Sequence, residues 1–343
     1  MPADSYDLAI IGGGISGCMI AHQAAVDHPG LRIAIFEQFR IGQGCSGYAG
    51  AIATPAARSG AQRGVSDYSR AWYERYRSAA PGAPLTLLPI TYILPEEQVA
   101  SLAARLPPDV TLAQAAAMPD WFSAPAGQLT LDCGSALHAD VPALCRHLLA
   151  TSTGVALFEG VRIGIPERIG ALWRMQLPDG RCQTAANLVL AKGAWTGQDP
   201  HCGLLAAKTK KVVAYLIDAP VPDDAAVLYF LEREAFLLPL AHQRQWLLSV
   251  TSEHWGCLPG GQPLGASVDD LHLAQELLAE HAPRLLAGLR GARVSCDSYS
   301  NSRLPEVARN TAGALVAYGA SGSGFRYAPA LARAVLQQPW AQV

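Results

Sequence analysis

Three glycines and one acid near the front of the chain have the spacing of a diphosphate-binding turn. The glycines are Gly12, Gly14 and Gly17, in the pattern G-x-G-x-x-G, and the acid is Glu37, twenty residues past Gly17. Gly12 permits a sharp turn out of a strand. Gly14 lets a pyrophosphate approach the backbone, and Gly17 lets a helix pack closely on the strand behind it. The helix that follows, with Ile15 and Ser16 at its start, offers free N–H groups and a partial positive charge to phosphate. A carboxylate at Glu37 is placed to accept hydrogen bonds from an adenosine ribose and would repel a 2′-phosphate, which disfavours NADP. A second glycine cluster, Gly319-Ala320-Ser321-Gly322-Ser323-Gly324, lies near the other end of the chain.

These residues need elements to hold them. Asp7–Ile11 reads as a buried strand, Ile15 to about Val26 as a helix, and Arg32–Phe36 as a second strand ending at Glu37. Strand, helix, strand and acid in this order support a bound dinucleotide. At the other end, Ala314–Tyr318 reads as a strand and Phe325 to about Gln337 as a helix, giving a second strand–turn–helix unit with its own positive helix start. One helix start suits a pyrophosphate. The other suits the electron-rich end of a cofactor ring, since a reduced flavin carries negative charge at N1 and C2=O. NAD has no need of that second site, so the pairing tilts the cofactor toward FAD.

The chain has 343 residues, 50% hydrophobic and 16% charged, with a formal net charge of -2. It can bury a large core, and it has no global pull toward nucleic acid or anionic membrane. The first strand begins near Tyr6, which leaves no room for a signal peptide, and no apolar run is long enough to span a membrane. Eight cysteines without a Cys-x-x-Cys or a Cys/His cluster argue against zinc and iron–sulfur and fit free thiols in a reducing cytoplasm.

Between the two glycine units the pattern alternates. Gly42–Ala51 is a run of small residues in which Ser46 is a candidate phosphate ligand. Ser66 to about Ser78 reads as a helix with Tyr68, Trp72 and Tyr76 on one face, a core stripe. Pro84–Leu94 reads as a strand and Pro95–Leu106 as a helix ended by Pro107-Pro108. Gly127–Leu131 is a short strand, Ala139–Thr151 an amphipathic helix, and Val155–Phe158 and Val161–Ile165 short strands. A hairpin turns at Pro178-Asp179-Gly180, and Asn187–Trp195 holds a central strand. From Lys211 to Val250 the pattern is all strand, an antiparallel sheet. Val268–Ala282 is a helix and Val294–Ser300 a strand. Lys208-Thr209-Lys210-Lys211, with Arg58 and Arg63, could touch RNA phosphates, but a solvated edge is the simpler reading. His254 beside Trp255 reads as a surface or packed histidine, and Tyr48 and Tyr215 are candidates for a pocket wall.

Taken together, four stretches resemble the D-amino acid oxidase/glycine oxidase family of FAD-dependent oxidoreductases. They are Gly12-x-Gly14-x-x-Gly17 with Glu37; Cys45-Ser46-Gly47 through Ile52; Leu188–Trp195; and Gly322-Ser323-Gly324-Phe325-Arg326-Tyr327-Ala328-Pro329. The element order is also similar to the oxidase half of a bifunctional tRNA wobble-uridine modification enzyme, although a tRNA role sits poorly with the charge balance. The resemblance implies an α/β fold: a Rossmann-type FAD-binding domain interleaved with an antiparallel-sheet α+β substrate domain. It places the FAD-binding parts at 1–82, 127–210 and 291–343 and the substrate parts at 83–126 and 211–290. It implies non-covalent FAD held by Gly12, Gly14, Ile15, Ser16, Gly17, Glu37, Gln38, Cys45, Ser46, Ala51, Val161, Gly193, Gly322, Ser323, Gly324 and Phe325. Cys296 falls one residue from where some relatives attach FAD covalently.

The chemistry implied is oxidation of a C–N bond in an amine or amino acid by hydride transfer to flavin N5, with oxygen taking the electrons. The rival readings are a dehydrogenase serving a quinone or a partner protein, and an FAD-binding accessory subunit without turnover. Many members carry an Arg that clamps the substrate carboxylate ahead of the last strand. With Pro305 fixing the register, Asp297 stands at that position, and Ala308 replaces a glycine. Arg326 follows Gly-x-Gly-Phe, where sarcosine oxidase-like members have a basic residue. Three readings stay open: Arg326 holds an acidic group of the substrate, Arg326 pairs with Asp297, or Asp297 binds a cationic amine. The candidate substrate and catalytic set is Arg326, Asp297, Arg303 and Tyr215.

Overall fold

The computed structural model describes residues 5–116, 118–203, 205, 207–260 and 264–340. The chain runs β1 (Ser5–Ile11), α1 (Ile15–Asp27), β2 (Ile33–Glu37), α2 (Cys45–Tyr48), β3 (Ile52–Ala53), α3 (Arg63–Ala79), β4 (Leu85–Pro95), α4 (Val99–Ala103), β5 (Ala113–Gln114), β6 (Gln128–Ala139), α5 (Val141–Ala150) and β7 (Val155–Glu159). It continues through β8 (Glu167–Ile169), β9 (Leu172–Gln176), β10 (Cys182–Leu190), β11 (Lys208–Asp218), β12 (Val227–Phe230), β13 (Ala235–Leu240), β14 (Gln245–Val250), α6 (Val268–His281), β15 (Leu289–Tyr299), β16 (Glu306–Arg309), β17 (Leu315–Tyr318) and α7 (Gly324–Leu336).

Apolar runs without polar alternation suit strands covered on both faces. β2 and β17 are such runs, as are residues 8–11 of β1 and 188–190 of β10, and these strands form the centre of one sheet in the order β16-β17-β10-β1-β2-β7. Pairing is parallel from β17 to β7, and β16 closes the edge antiparallel. α1, α5 and α7 cover one face through Met19, Leu144, Leu148, Leu331 and Val335, all buried. Trp173, Met175 and Phe36 fill the other face. The aromatic stripe of α3 packs against the first of these faces. Trp72 and Tyr76 stack at 4.9 Å, and the buried Tyr73 donates its hydroxyl to the Phe325 carbonyl at 2.8 Å.

The second sheet has the order β15-β11-β14-β13-β12-β4-β6-β3. Its pairs are antiparallel with one exception: β12 runs parallel to β4. A strand from the first half of the chain and one from the second meet there, and no local pattern encodes the direction in which they meet. β6 is longer than the short strand read from Gly127–Leu131. It lies along β4 from Gln128 to Ala139 in this sheet although it falls wholly beyond the division drawn at 127, and β15 beside β11 runs across the one drawn at 291.

Three local expectations change. Val161–Ile165 is not a strand: Gly160, with φ of 69°, turns the chain away after β7, and the segment becomes a cavity wall instead. The helix expected over 95–106 divides into a 3-10 turn at Glu96–Gln98 and the short α4. Lys210 and Lys211 are buried rather than solvated. Lys211 pairs with the buried Asp270 of α6, and Lys210 lies over the Trp255 ring and reaches Glu253 at 3.1 Å. Lys208 alone of the three lysines is exposed. Asp270 also forms a capping box with Ser267. Burial alone would raise the Asp270 pKa, but Lys211 and bonds from Ser267 and Ser252 hold it below the usual carboxylate range.

Cysteine pairing is a further correction. Cys257 and Cys296 form a disulfide, and the remaining six cysteines are free thiols. The pair is 39 residues apart in sequence. The loop after β14 brings it together by lying along β11, where Thr209 donates to the Cys257 carbonyl at 2.5 Å.

Candidate functional site

The first glycine turn has the geometry its spacing implies. β1 ends at Ile11, the chain reverses at Gly12 with φ of 113°, and α1 begins at Ile15. A Cβ on Gly12 would lie 2.3 Å from the Ala191 carbonyl oxygen, and one on Gly17 would lie 1.9 Å from the Gly12 oxygen. Neither position tolerates a side chain: Gly12 presses on the segment that leaves β10, and Gly17 brings the helix onto the Gly12 carbonyl. Gly14 differs: its added Cβ would meet only the Ser46 hydroxyl, at 3.1 Å. Its free face opens on the cavity, which is what close approach of a phosphate needs. Ser46 accepts a hydrogen bond from the Ile15 N–H at 3.1 Å, so the small-residue run reaches the start of α1.

Glu37, at the end of β2, is buried and held by two amides. The Gly13 N–H donates to one oxygen at 2.7 Å and the Phe39 N–H to the other at 2.8 Å. These bonds fix the carboxylate at the cavity wall and leave lone pairs for hydroxyl donors.

At the other end of the chain Gly322, with φ of 75°, leads into α7. Asp297 of β15 reaches this turn. One of its oxygens accepts from the Gly322 N–H at 2.7 Å and the other from the Ser298 N–H at 2.8 Å. Burial raises its pKa above the usual carboxylate value, with the two amides and Arg58 acting the other way. Arg326, in the first turn of α7, is 8% exposed. Its guanidinium donates to the Thr54 hydroxyl and, at 3.5 Å, to the Ala56 carbonyl, while its Nε has no partner. Arg326 and Asp297 therefore bond to different groups, and the ion pair considered between them does not form.

A single cavity of about 460 Å³ gathers most of the candidates. Gly12, Gly14, Ile15, Ser16, Glu37, Gln38, Cys45, Ser46, Ala51, Val161, Gly193, Gly322, Ser323, Gly324, Phe325, Asp297 and Arg326 all line it. Val212, Phe236 and Ser249 of the second sheet close it, so both sheets contribute walls. Gly17 lies behind the wall, in the strand–helix contact. Arg303 lines a neighbouring cavity with Trp255 and Tyr299. Tyr215 is 3% exposed in the core between β11 and α6, and burial pushes its phenol up to about 12. Thr54, Ala56 and Phe236 were missed by sequence reasoning, and Arg58, read only as a possible phosphate contact, instead bonds to the second glycine turn. Each meets its partner across a long stretch of chain, and no spacing marks it.

FAD fits the residues present. Gly14 leaves an open backbone face. The first turns of two 13-residue helices, α1 and α7, line the same cavity. Glu37 supplies a fixed acceptor for ribose, and the volume lies in the usual range for a ligand cleft. Among the described residues no group of acids, histidines and cysteines is placed to hold a metal ion. No described helix is long and apolar enough to cross a membrane.

No curated protein matches the chain. Among solved structures, glycine oxidase from Geobacillus kaustophilus is similar with a TM-score of 0.79 at 19% identity, over 97% of this chain and 94% of that one. L-proline dehydrogenase from P. horikoshii gives 0.80 at 16%, over 96% and 91%. An FAD-bound L-alpha-glycerophosphate oxidase from Mycoplasma pneumoniae gives 0.80 at 13%, over 99% and 96%. At these identities the likeness establishes the fold. The family itself is shown by its sequence model, described as FAD dependent oxidoreductase, which matches residues 7–338. With the fingerprint turn, the fixed acid and the second helix start on one cavity, and the family pattern spanning nearly every residue, the chain belongs to the DAO family of FAD-dependent oxidoreductases.

Proposed function

We propose that the chain oxidises the C–N bond of a small amine or amino acid that carries an acidic group, with Arg326 holding that group. When bound, FAD would supply a two-electron acceptor for the hydride on the carbon next to nitrogen, and hydrolysis of the resulting imine would release a carbonyl compound and an amine. Gly12, Gly14, Ile15 and Ser16 would hold the pyrophosphate and Glu37 the ribose, and the first turn of α7 would lie toward the ring. Binding is non-covalent. Cys296 is engaged with Cys257, and the Cys45 thiol is pushed up by burial and bonded to Ser295, so neither offers a thiolate. Oxygen serves as electron acceptor in this reading.

Arg326 carries the proposal. It is a buried guanidinium on the cavity wall, its bonds go to neutral oxygens, and one nitrogen is unmatched. A buried cation in that state gains most from an incoming carboxylate. Phe236 and Val212 give the substrate end an apolar wall. The test is anaerobic bleaching of the flavin by a panel of amines and amino acids. Acidic substrates should reduce wild-type FAD, and Arg326→Ala should raise the concentration needed by about 10- to 100-fold, the worth of a charge-assisted bond. Unchanged dependence on the acidic substrate in Arg326→Ala would remove the assignment.

A further inference from the structure

We propose that Asp297 sets the charge preference of the flavin: it places a carboxylate at the mouth of α7 and disfavours negative charge on the ring end until that carboxylate is neutralised. The inference rests on the FAD reading above and deepens it. An α7 start left to itself would present roughly half a positive charge to the ring. A full negative charge at the same place reverses the sign of the local field.

The position of the carboxylate is fixed from several sides. Both its oxygens are bound by amides, at 2.7 and 2.8 Å. The strand that carries it is tied to the glycine turn by the Ser321 N–H on the Ser298 carbonyl at 2.9 Å and by a bridge from Tyr299 to Ala320. Among the described residues no cation forms an ion pair with it. Arg58, the cation that acts on it most, donates to the Ser321 carbonyl at 2.9 Å and lies 3.6 Å from Glu234. The other titratable groups facing it are Lys210, its register partner on β11, whose ammonium reaches Glu253 at 3.1 Å, the Cys45 thiol from α2, kept neutral by burial, and the Tyr299 phenol, pushed up to about 12. Arg303 acts on Tyr299 from the loop beyond β15. Burial holds Asp297 above the usual carboxylate range, so its protonated form is reached without extreme acid.

Sulfite reads this charge without turnover. Its sulfur lone pair adds to flavin N5, and the displaced electron pair comes to rest at N1 and C2=O, so its affinity reports how well negative charge is tolerated there. FAD-loaded wild type, Asp297→Asn and Asp297→Ser are titrated with sulfite from acid to mildly alkaline pH, with affinities referred to the free dianion. Their reduction potentials are measured against a reference dye. The neutral variants should bind sulfite about tenfold more tightly or better at the alkaline end, the scale of one unscreened charge a few ångströms away. Their potentials should be more positive. Wild-type affinity should fall as pH rises through the Asp297 titration, and that fall should be absent in Asn and Ser and kept in Asp297→Glu. Equal sulfite affinities and equal potentials in all proteins would overturn the proposal while leaving the cofactor reading intact. Protein that never takes up FAD would overturn both.

Discussion

A buried charge declares itself by what it bonds to. Lys211 and Asp270 are 6% and 3% exposed at their side chains and face each other across the β11–α6 contact. They satisfy each other, so their role is to hold the second sheet to its helix. Asp270→Asn strands the ammonium and should lower stability near pH 7 by about 3–5 kcal/mol, measured by urea unfolding. The pH sign follows from the lowered Asp270 pKa. Stability from this group is fully present above the unfolded carboxylate value of about 3.9 and is lost as pH falls through the lower folded value. The gap between wild type and Asp270→Asn should therefore narrow only below about pH 4. Arg326 presents the opposite case, a buried cation whose bonds are all to neutral groups, which points outward to a ligand rather than inward to the fold.

Among elements, the turn from β1 into α1 separates two kinds of glycine. Gly17 has no room for a side chain because α1 rests on the Gly12 carbonyl, whereas Gly14 has room but faces the cavity. The two predict different failures. Gly17→Ala should destabilise the fold by roughly 1–3 kcal/mol, the cost of overpacking, and lower the melting temperature of the apoprotein. Gly14→Val should melt near wild type without cofactor yet bind FAD weakly, as read by retention of yellow colour on gel filtration. If both variants lose stability equally, the distinction between packing and cradle fails. α7 has a comparable double role. Its buried face, with Leu331 and Val335, completes the core, while its first turn carries Phe325 and Arg326 to the cavity.

On the scale of the whole molecule, the two sheets share one cavity, and FAD would bridge their walls. A ligand that binds only the folded state stabilises it by mass action, by about 2.7 kcal/mol at a hundredfold excess over its Kd. Adding FAD to apoprotein should raise the melting temperature by several degrees, while adenosine diphosphate, which lacks the ring, should do less. An equal rise with both would mean that the ring makes no contact in the fold.

The front of the chain could be read from its sequence because its chemistry is local. Gly12, Gly14, Gly17 and Glu37 act through a turn, a helix start and one neighbouring strand, and each of those is set by short-range sterics and hydrophobic runs. The gathering of Gly322–Phe325 onto the same cavity followed from the same logic applied at the other end. The strand expected at Val161–Ile165 failed because an apolar run does not say which partner strand it lies beside. The parallel pairing of β12 with β4, the burial of Lys210 and Lys211, the Cys257–Cys296 link, and the assignment of Arg326 to Thr54 and Ala56 rather than Asp297 all failed to appear for the same reason. Each depends on which distant segments meet, and in which register. Sequence alone determined the family and the local geometry of the first glycine turn, because that turn rests on contacts within a few tens of residues. Only the tertiary structure decided which charges are spent and which are free, because a charge is neutralised by whatever lies beside it in space.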